Sequence, residues 1–325
     1  DPIVYDVGDL RIYPGNPGGP TLEPTWRAFG VYPDLAGGFT TRNTGWGLHL
    51  ATGDIDGDGA CDVVVGHYYE GPEDGTDYGM VWRYLASDVT GPAPALPSRM
   101  YSSTTESQFG RPLALGDVDG DGLDDLLVGA RLDDTQQTNG GAAYLFLASD
   151  DDGRDAADLM LELDASWRVE ALESNDYIGW GVDLTDMDGD GLDDVVVGAT
   201  QDEVYGGLST TGVVGWFGAT DVLATTTSVM DDAVELWAPE PQSEQFGLDV
   251  GAAGDVDGDG LADLIAPAPR GQEVGPDTPR VYPLHQGVSL PSPIDLPGDV
   301  HATLMGERRS ATFYDVDGDG TLDVV

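Results

Sequence analysis

Five times along the chain, four aspartates fall on a nine-residue frame at positions one, three, five and nine, with glycine at positions four and six. The sets are Asp54, Asp56, Asp58 and Asp62; Asp117, Asp119, Asp121 and Asp125; Asp186, Asp188, Asp190 and Asp194; Asp255, Asp257, Asp259 and Asp263; and Asp315, Asp317, Asp319 and Asp323. Alternate carboxylates on a tightly turning segment project into one small space, and glycine accepts the torsions such a turn demands. A hard cation that takes six to eight oxygens fits there, with the position-seven carbonyls of Ala60, Leu123, Leu192, Leu261 and Thr321 completing the cage. Calcium is the expected ion, about five per chain, because magnesium gives up its water reluctantly and seldom sits in an all-protein cage. Without a cation the four carboxylates would repel one another. One copy would read equally well as a solvated acidic turn; five copies with the same gaps do not. An EF-hand is excluded, since its bidentate Glu at position twelve is replaced here by Val65, Val128, Val197 and Ala266.

The elements that hold these loops repeat with them, roughly every sixty to seventy residues. Each loop runs straight into an apolar stretch: Val63-Val64-Val65, Leu126-Leu127-Val128, Val195-Val196-Val197, Leu264-Ile265 and Val324-Val325. Such β-branched runs read as buried strands. A glycine-rich lead-in precedes the loops at Gly45-Trp46-Gly47, Phe109-Gly110, Gly179-Trp180-Gly181 and Phe246-Gly247, so each loop joins the two strands of a hairpin. An aromatic third strand follows at Tyr78 to Tyr84, Gly141 to Phe146 and Gly212 to Phe217, with a weaker copy at Arg280-Val281-Tyr282. A fourth strand, such as Glu162 to Val169 or Ala233 to Trp237, leads to the next unit.

This is the blade of a β-propeller, and no helical period persists long enough to compete. The expected fold is all-β, a single propeller domain over residues 1–325 with about five four-stranded blades. Its repeats lie at about 45–107, 108–176, 177–243 and 244–306, with partial units at 1–44 and 307–325. The first partial unit carries an aromatic half (Gly8 to Gly15, then Leu22 to Phe29) and the last a front half. Two arrangements follow: a five-bladed ring closed by N-terminal strands that complete the last blade and bury both open edges, or part of a larger array.

Sixty acidic residues face thirteen basic ones, all arginine, for a net charge of −47. That balance argues against nucleic acid or anionic lipid as a partner and fits cation binding and salt adaptation alike. No apolar run is long enough to insert in a membrane. The single Cys61 excludes an intrachain disulfide, which calcium can replace as the staple of a secreted domain. A chain opening at Asp1 is expected to have lost a leader or to be a fragment. There is no His-Glu-x-x-His, no Gly-x-Ser-x-Gly and no phosphate-cradling loop. The four histidines are scattered, and His49 reads as a packed residue rather than a ligand. Cys61 holds position eight, where the other copies carry Asp124, Asp193, Ala262 and Leu322, and reads as a tolerated small residue. The tryptophans read as core, with a sugar-stacking platform as the alternative.

The order Phe-Gly, then Asp-x-Asp-x-Asp-Gly-x-x-Asp, then Val-Gly-Ala resembles the FG-GAP repeat of integrin α-subunit propellers and their bacterial relatives. Its fullest copy runs from Gln108-Phe109-Gly110 to Val128-Gly129-Ala130, and Trp46 and Trp180 stand in for the phenylalanine. The resemblance implies calcium loops on one face of the ring, with Asp54, Asp117, Asp186, Asp255 and Asp315 as first ligands, and partner binding on the opposite face or the rim. The chain departs from the pattern in showing five repeats rather than seven, in Ala266-Pro267-Ala268, and in Arg308-Arg309-Ser310-Ala311 where Phe-Gly is expected.

The expected function is a calcium-binding adhesion or recognition module, secreted or on the cell surface, that takes an extracellular protein or glycan and is not an enzyme. A lectin-like propeller and the propeller of a secreted polysaccharide-acting enzyme are the alternatives; the last requires a suitably spaced carboxylate pair. The recognition loops would be His67 to Tyr78, Arg131 to Asn139 and Gln201 to Leu208, which differ between repeats.

Overall fold

A computed structural model describes residues 9–13, 26–29, 32–33, 39–40, 46–68, 78–90, 98–102, 104–150, 159–161, 164–200, 212–238, 243–244, 246–255, 259–271, 278–284, 294–295, 313–314 and 323–324. Two hairpins open the chain: β1 (Asp9–Ile12) with β2 (Trp26–Phe29), and β3 (Tyr32–Pro33) with β4 (Phe39–Thr40). The next blade comprises β5 (Leu50–Gly53), β6 (Asp62–Gly66), β7 (Met80–Tyr84) and β8 (Ser98–Tyr101), paired antiparallel in chain order. Another follows with β9 (Leu113–Gly116), β10 (Asp125–Ala130), β11 (Ala142–Phe146) and, past the short β12 (Leu159–Leu161), β13 (Trp167–Glu170). Then come β14 (Ile178–Thr185), β15 (Asp194–Ala199), β16 (Val213–Phe217) and, past β17 (Thr227–Val229), β18 (Glu235–Trp237).

In the following sheet, β19 (Ser243–Glu244) and β20 (Gly251–Gly254) both pair with β21 (Asp263–Gly271), which continues to β22 (Thr278–Leu284) and β23 (Ile294–Asp295). A last hairpin pairs β24 (Phe313–Tyr314) with β25 (Asp323–Val324). The innermost strands β5, β9, β14 and β20 lie side by side in that order, and β24 lies against β20. The fold is a β-propeller. Among the described residues the β1–β2 and β24–β25 ladders are each two-stranded. No described helix is long and apolar enough to cross a membrane.

The apolar runs after the loops are continuous because both faces of each blade are buried. Val63 and Val65 of β6 face Trp26, Trp46 and Trp82, while Val64 between them faces Phe109 and Val128 of the next blade. Leu127 of β10 points forward to Val195 and Val197, and Leu126 and Val128 point back. Val196 of β15 joins Trp216, Trp237 and Phe246 in the layer beyond. Alternate side chains of one strand therefore fill two different inter-blade layers, and a polar residue has no favourable place on either side. Position two of each loop (Ile55, Val118, Met187) is buried in the layer ahead, which seats the loop on the core.

The structure corrects the reading of Trp180. The Phe-Gly unit begins eight residues before position one of the loop, and in the β14 blade that place belongs to Ile178-Gly179. Ile178 is buried like Phe109, and the Gly141–Ile178 bridge repeats the Gly79–Phe109 bridge one blade earlier. Trp180 is the next residue, half-exposed, at the position of Arg111. In the β20 blade, Phe246 sits one residue further from its loop, and a register shift between Ala252 and Gly254 absorbs the extra residue as a bulge.

Two short strands were not expected. β12 pairs parallel with β8, the outer edge of the preceding blade, and β17 pairs parallel with β13 in the same manner. Each is a strap thrown backward by the following blade over an edge that would otherwise present open amides and carbonyls. The second is fixed further by Trp167, whose Nε1 donates to Ser228 Oγ at 3.1 Å.

Candidate metal sites

The hairpin loops between β5 and β6, β9 and β10, and β14 and β15 share one hydrogen-bond scheme. Asp54 at position one accepts from Gly57 N (2.8 Å) and Asp58 N (3.1 Å) through Oδ1 and from Gly59 N (2.9 Å) through Oδ2. Asp117 gathers Gly120 N and Gly122 N in this manner at 2.7 and 3.0 Å, and Asp186 gathers Gly189 N and Gly191 N at 2.7 and 3.0 Å. The glycines at positions four and six have positive φ, as the sequence requires. At position five, Asp58, Asp121 and Asp190 accept from the amides of Ala60, Leu123 and Leu192 at 2.8, 2.8 and 2.9 Å, which orients the position-seven peptide.

Three carboxylates come together in each of these loops, with ligand atoms all within 4.8 Å of one another: Asp54, Asp56 and Asp58; Asp117, Asp119 and Asp125; Asp186, Asp188 and Asp194. Crowded hard oxygens with no basic side chain in the loop fit a divalent cation such as calcium. The fourth loop keeps the scheme where it is described, with Gly260 N on Asp255 Oδ2 at 3.0 Å and Leu261 N on Asp259 Oδ1 at 2.8 Å. Asp257, Asp315, Asp317, Asp319 and Thr321 lie outside the described residues. Asp263 is buried at the head of β21, and Asp323 opens β25.

Position nine is tied into the blade itself. Asp62, Asp125 and Asp194 are fully buried, and each bridges two elements. One oxygen accepts from the position-two amide (Ile55, Val118, Met187) at 2.9, 2.8 and 2.9 Å. The other accepts from the amide just beyond the third strand (Ala86, Ala148, Ala219) at 2.6, 2.8 and 2.7 Å. There the chain turns into α1 (Ala86–Thr90), a 3-10 turn or α2 (Ala219–Ala224). Burial pushes Asp125 up to about 7 and Asp194 up to about 6, against the pull of those two amides and with help from neighbouring carboxylates; Asp62 is raised for the same reasons. A bound cation would reverse this balance.

Position eight, variable in sequence, links the loops. Asp124 N donates to Asp54 O at 2.9 Å, and Asp54 N donates to Asp124 Oδ2 at 2.7 Å. Asp193 and Asp117 repeat the pair at 2.9 and 3.0 Å. Leu123, Leu192 and Leu261 lean on the position-four glycines of the preceding loops, Gly57, Gly120 and Gly189. The sequence did carry a signal for Asp124 and Asp193, in the glycines Gly53 and Gly116 that precede the partner loops.

At the other end of the innermost strands, Gln108 Oε1 accepts from Arg111 Nη1 (2.9 Å) and Arg131 Nε (2.6 Å). The Arg131 guanidinium stacks 4.0 Å over Trp180, and Arg111 lies 5.2 Å from the ring centre of Tyr68. His49, 6.0 Å from the Tyr68 ring, is lowered to about 4 by burial and then by Arg111, so it is neutral at physiological pH. Of the expected recognition loops, Arg131 to Asn139 is described and is held by buried Asp133, which accepts from Tyr144 Oη at 2.9 Å and Thr135 N at 2.7 Å. Gln201 to Leu208 and most of His67 to Tyr78 lie outside the described residues.

Residues 109–146 and 246–282 match the model of the FG-GAP repeat family, and each segment opens at the phenylalanine of a lead-in. Integrin alpha-5 of Xenopus laevis is 28% identical over 248 residues, covering 73% of this chain and 20% of the relative. Integrin alpha-IIb of Homo sapiens is 30% identical over 231 residues (69% and 20%), and integrin alpha-V of Gallus gallus 27% over 283 residues (83% and 24%). The chain spans about a fifth of the length of these curated relatives. Lead-in, aspartate loop and buried exit strand recur in register along the described propeller, and the chain thus carries FG-GAP repeats and is similar to the integrin α chains.

Proposed function

We propose that this propeller is a calcium-binding, non-catalytic recognition module that works outside the cell and takes an extracellular protein partner. The observation that carries the reading is the recurrence of a three-carboxylate cluster in the same loop of three successive blades, drawn from positions one, three and five in the first and one, three and nine in the next two. A cation there joins position one to the buried clamp at position nine and so ties the loop to the end of the third strand. The similarity to integrin α chains supports an adhesive role at the cell surface. The face opposite the loops, where Arg111, Arg131 and Trp180 are half-exposed, is the partner surface in this reading.

Thermal unfolding with calcium, magnesium or chelator tests the metal. Binding to the folded state alone raises the midpoint with ligand concentration, so calcium should raise it well above magnesium at equal concentration. No shift, together with no metal retained after dialysis, would remove calcium from the account and leave salt adaptation as the reason for the acidity. Adhesion of the immobilised chain to a panel of extracellular matrix proteins tests the face, and Trp180→Ala should lower any adhesion that calcium supports. We further propose that the repeats at 45–107, 108–176, 177–243 and 244–306 form one ring with 1–44 and 307–325 as its shared blade. Efficient cross-linking between cysteines placed on β1 and β25, which would then be neighbouring strands, is the expected result.

A further inference from the structure

We propose that Asp124 and Asp193 are positioning residues that couple successive calcium loops, so that the first three sites fill cooperatively while the fourth is uncoupled from the third. The inference rests on the calcium reading above. Asp54 organises its loop by collecting the amides of Gly57, Asp58 and Gly59, and its own N–H and C=O are both held by Asp124 of the next blade. Asp124 is the immediate neighbour of Asp125, which sits in the next cluster and whose two oxygens are anchored to Val118 and Ala148. An ion that draws Asp125 into place therefore also fixes Asp124, and through it the first ligand of the preceding loop. Asp193 stands between Asp194 and Asp117 in the same manner. Hydrogen bonds to an ionised acceptor are short and strong, which suits a link between rigid units.

The link needs a matched pair of residues. A Cβ on Gly53 would lie 2.2 Å from Asp124 Oδ2, and one on Gly116 would lie 2.4 Å from Asp193 Oδ2. The third junction has neither partner: Thr185 precedes the loop and Ala262 holds position eight. Among the described loop residues the leucine contact persists there, with Leu261 against Gly189. The first two junctions thus carry a hydrogen-bonded link between loops, whereas at the third the hydrogen bond between the blades, Ala252 N on Asp183 Oδ2, lies in the strands ahead of the loops.

A cycle on the full chain separates coupling from simple stapling of blades. Calcium occupancy of the first loop is read from the amide resonances of Gly57 and Gly59. The second site is disabled by Asp119→Ala, which leaves Asp124 in place. In the Asp124 background this should weaken the first site roughly three- to tenfold, the usual range for coupled neighbours. In the Asp124→Ala background Asp119→Ala should leave the first site unchanged, whereas Asp124→Asn, which keeps an acceptor, should retain the effect. Should Asp124→Ala not fold, Thr185→Gly with Ala262→Asp installs the pair at the third junction. That variant should make the third loop newly sensitive to Asp255→Ala. An equal effect of Asp119→Ala in both backgrounds, no effect in either, or an installed pair that transmits nothing overturns the coupling alone. Glycine resonances that ignore calcium in the unaltered chain overturn the calcium reading and the coupling together.

Discussion

Both carboxylate oxygens of Asp125 are taken by backbone amides, Val118 N on one side and Ala148 N on the other. Asparagine has one acceptor oxygen, so Asp125→Asn leaves one buried amide facing an NH2 group. We expect a loss of about 1–3 kcal/mol, measured by urea unfolding in chelator, where a residue that only bound metal would show none. A carboxylate pair outside the loops adds to the pH response. Burial, followed for Asp249 by the charge of Asp183, raises Asp249 to about 7 and Asp183 to about 6. Between pH about 4 and about 7 the folded chain keeps protons that the unfolded chain releases, so these groups make stability fall as pH rises, by up to about 1.4 kcal/mol per pH unit per proton. Asp249→Asn keeps the neutral form. Its stability relative to the unaltered chain should be level near pH 4 and improve steadily towards pH 7 in thermal melts.

Gly179 has φ +77°, and a Cβ there would lie 2.1 Å from Ala142 O of the neighbouring blade, whereas Gly122 has φ +87° with open space around it. Gly179→Ala therefore adds an inter-blade clash to backbone strain and should cost about 3 kcal/mol or more; Gly122→Ala carries strain alone and should cost about 1 kcal/mol. Chemical denaturation of the two variants checks the contrast. The same elements show what was legible in the sequence. The exit strands and aromatic strands stood out because both their faces are buried, which leaves an unbroken apolar run. The lead-in to β14 was misplaced because Gly179-Trp180-Gly181 spells a Phe-Gly analogue, while spacing to Asp186 selects Ile178-Gly179. The straps β12 and β17 were invisible: three residues paired through backbone leave no side-chain period. Asp124 and Asp193 were missed because a link between blades shows only when position eight of one repeat is compared with the residue before position one of the previous repeat.

At the scale of the whole molecule, a charge of −47 with thirteen arginines and no lysine repels itself. Screening should relieve this, so in chelator the unfolding midpoint should rise as sodium chloride goes from about 0.05 to about 1 M, and rise less when calcium is present. The straps have a consequence for how such a molecule is made. Because β12 closes the β8 edge and β17 closes the β13 edge, each of these two blades is finished only by residues that follow it in the chain. A growing polypeptide emerging from the ribosome would complete these two blades in order, and the raw strand edge would move forward from one to the next. The segment open to mispairing with a neighbouring nascent chain would then stay short while these blades form.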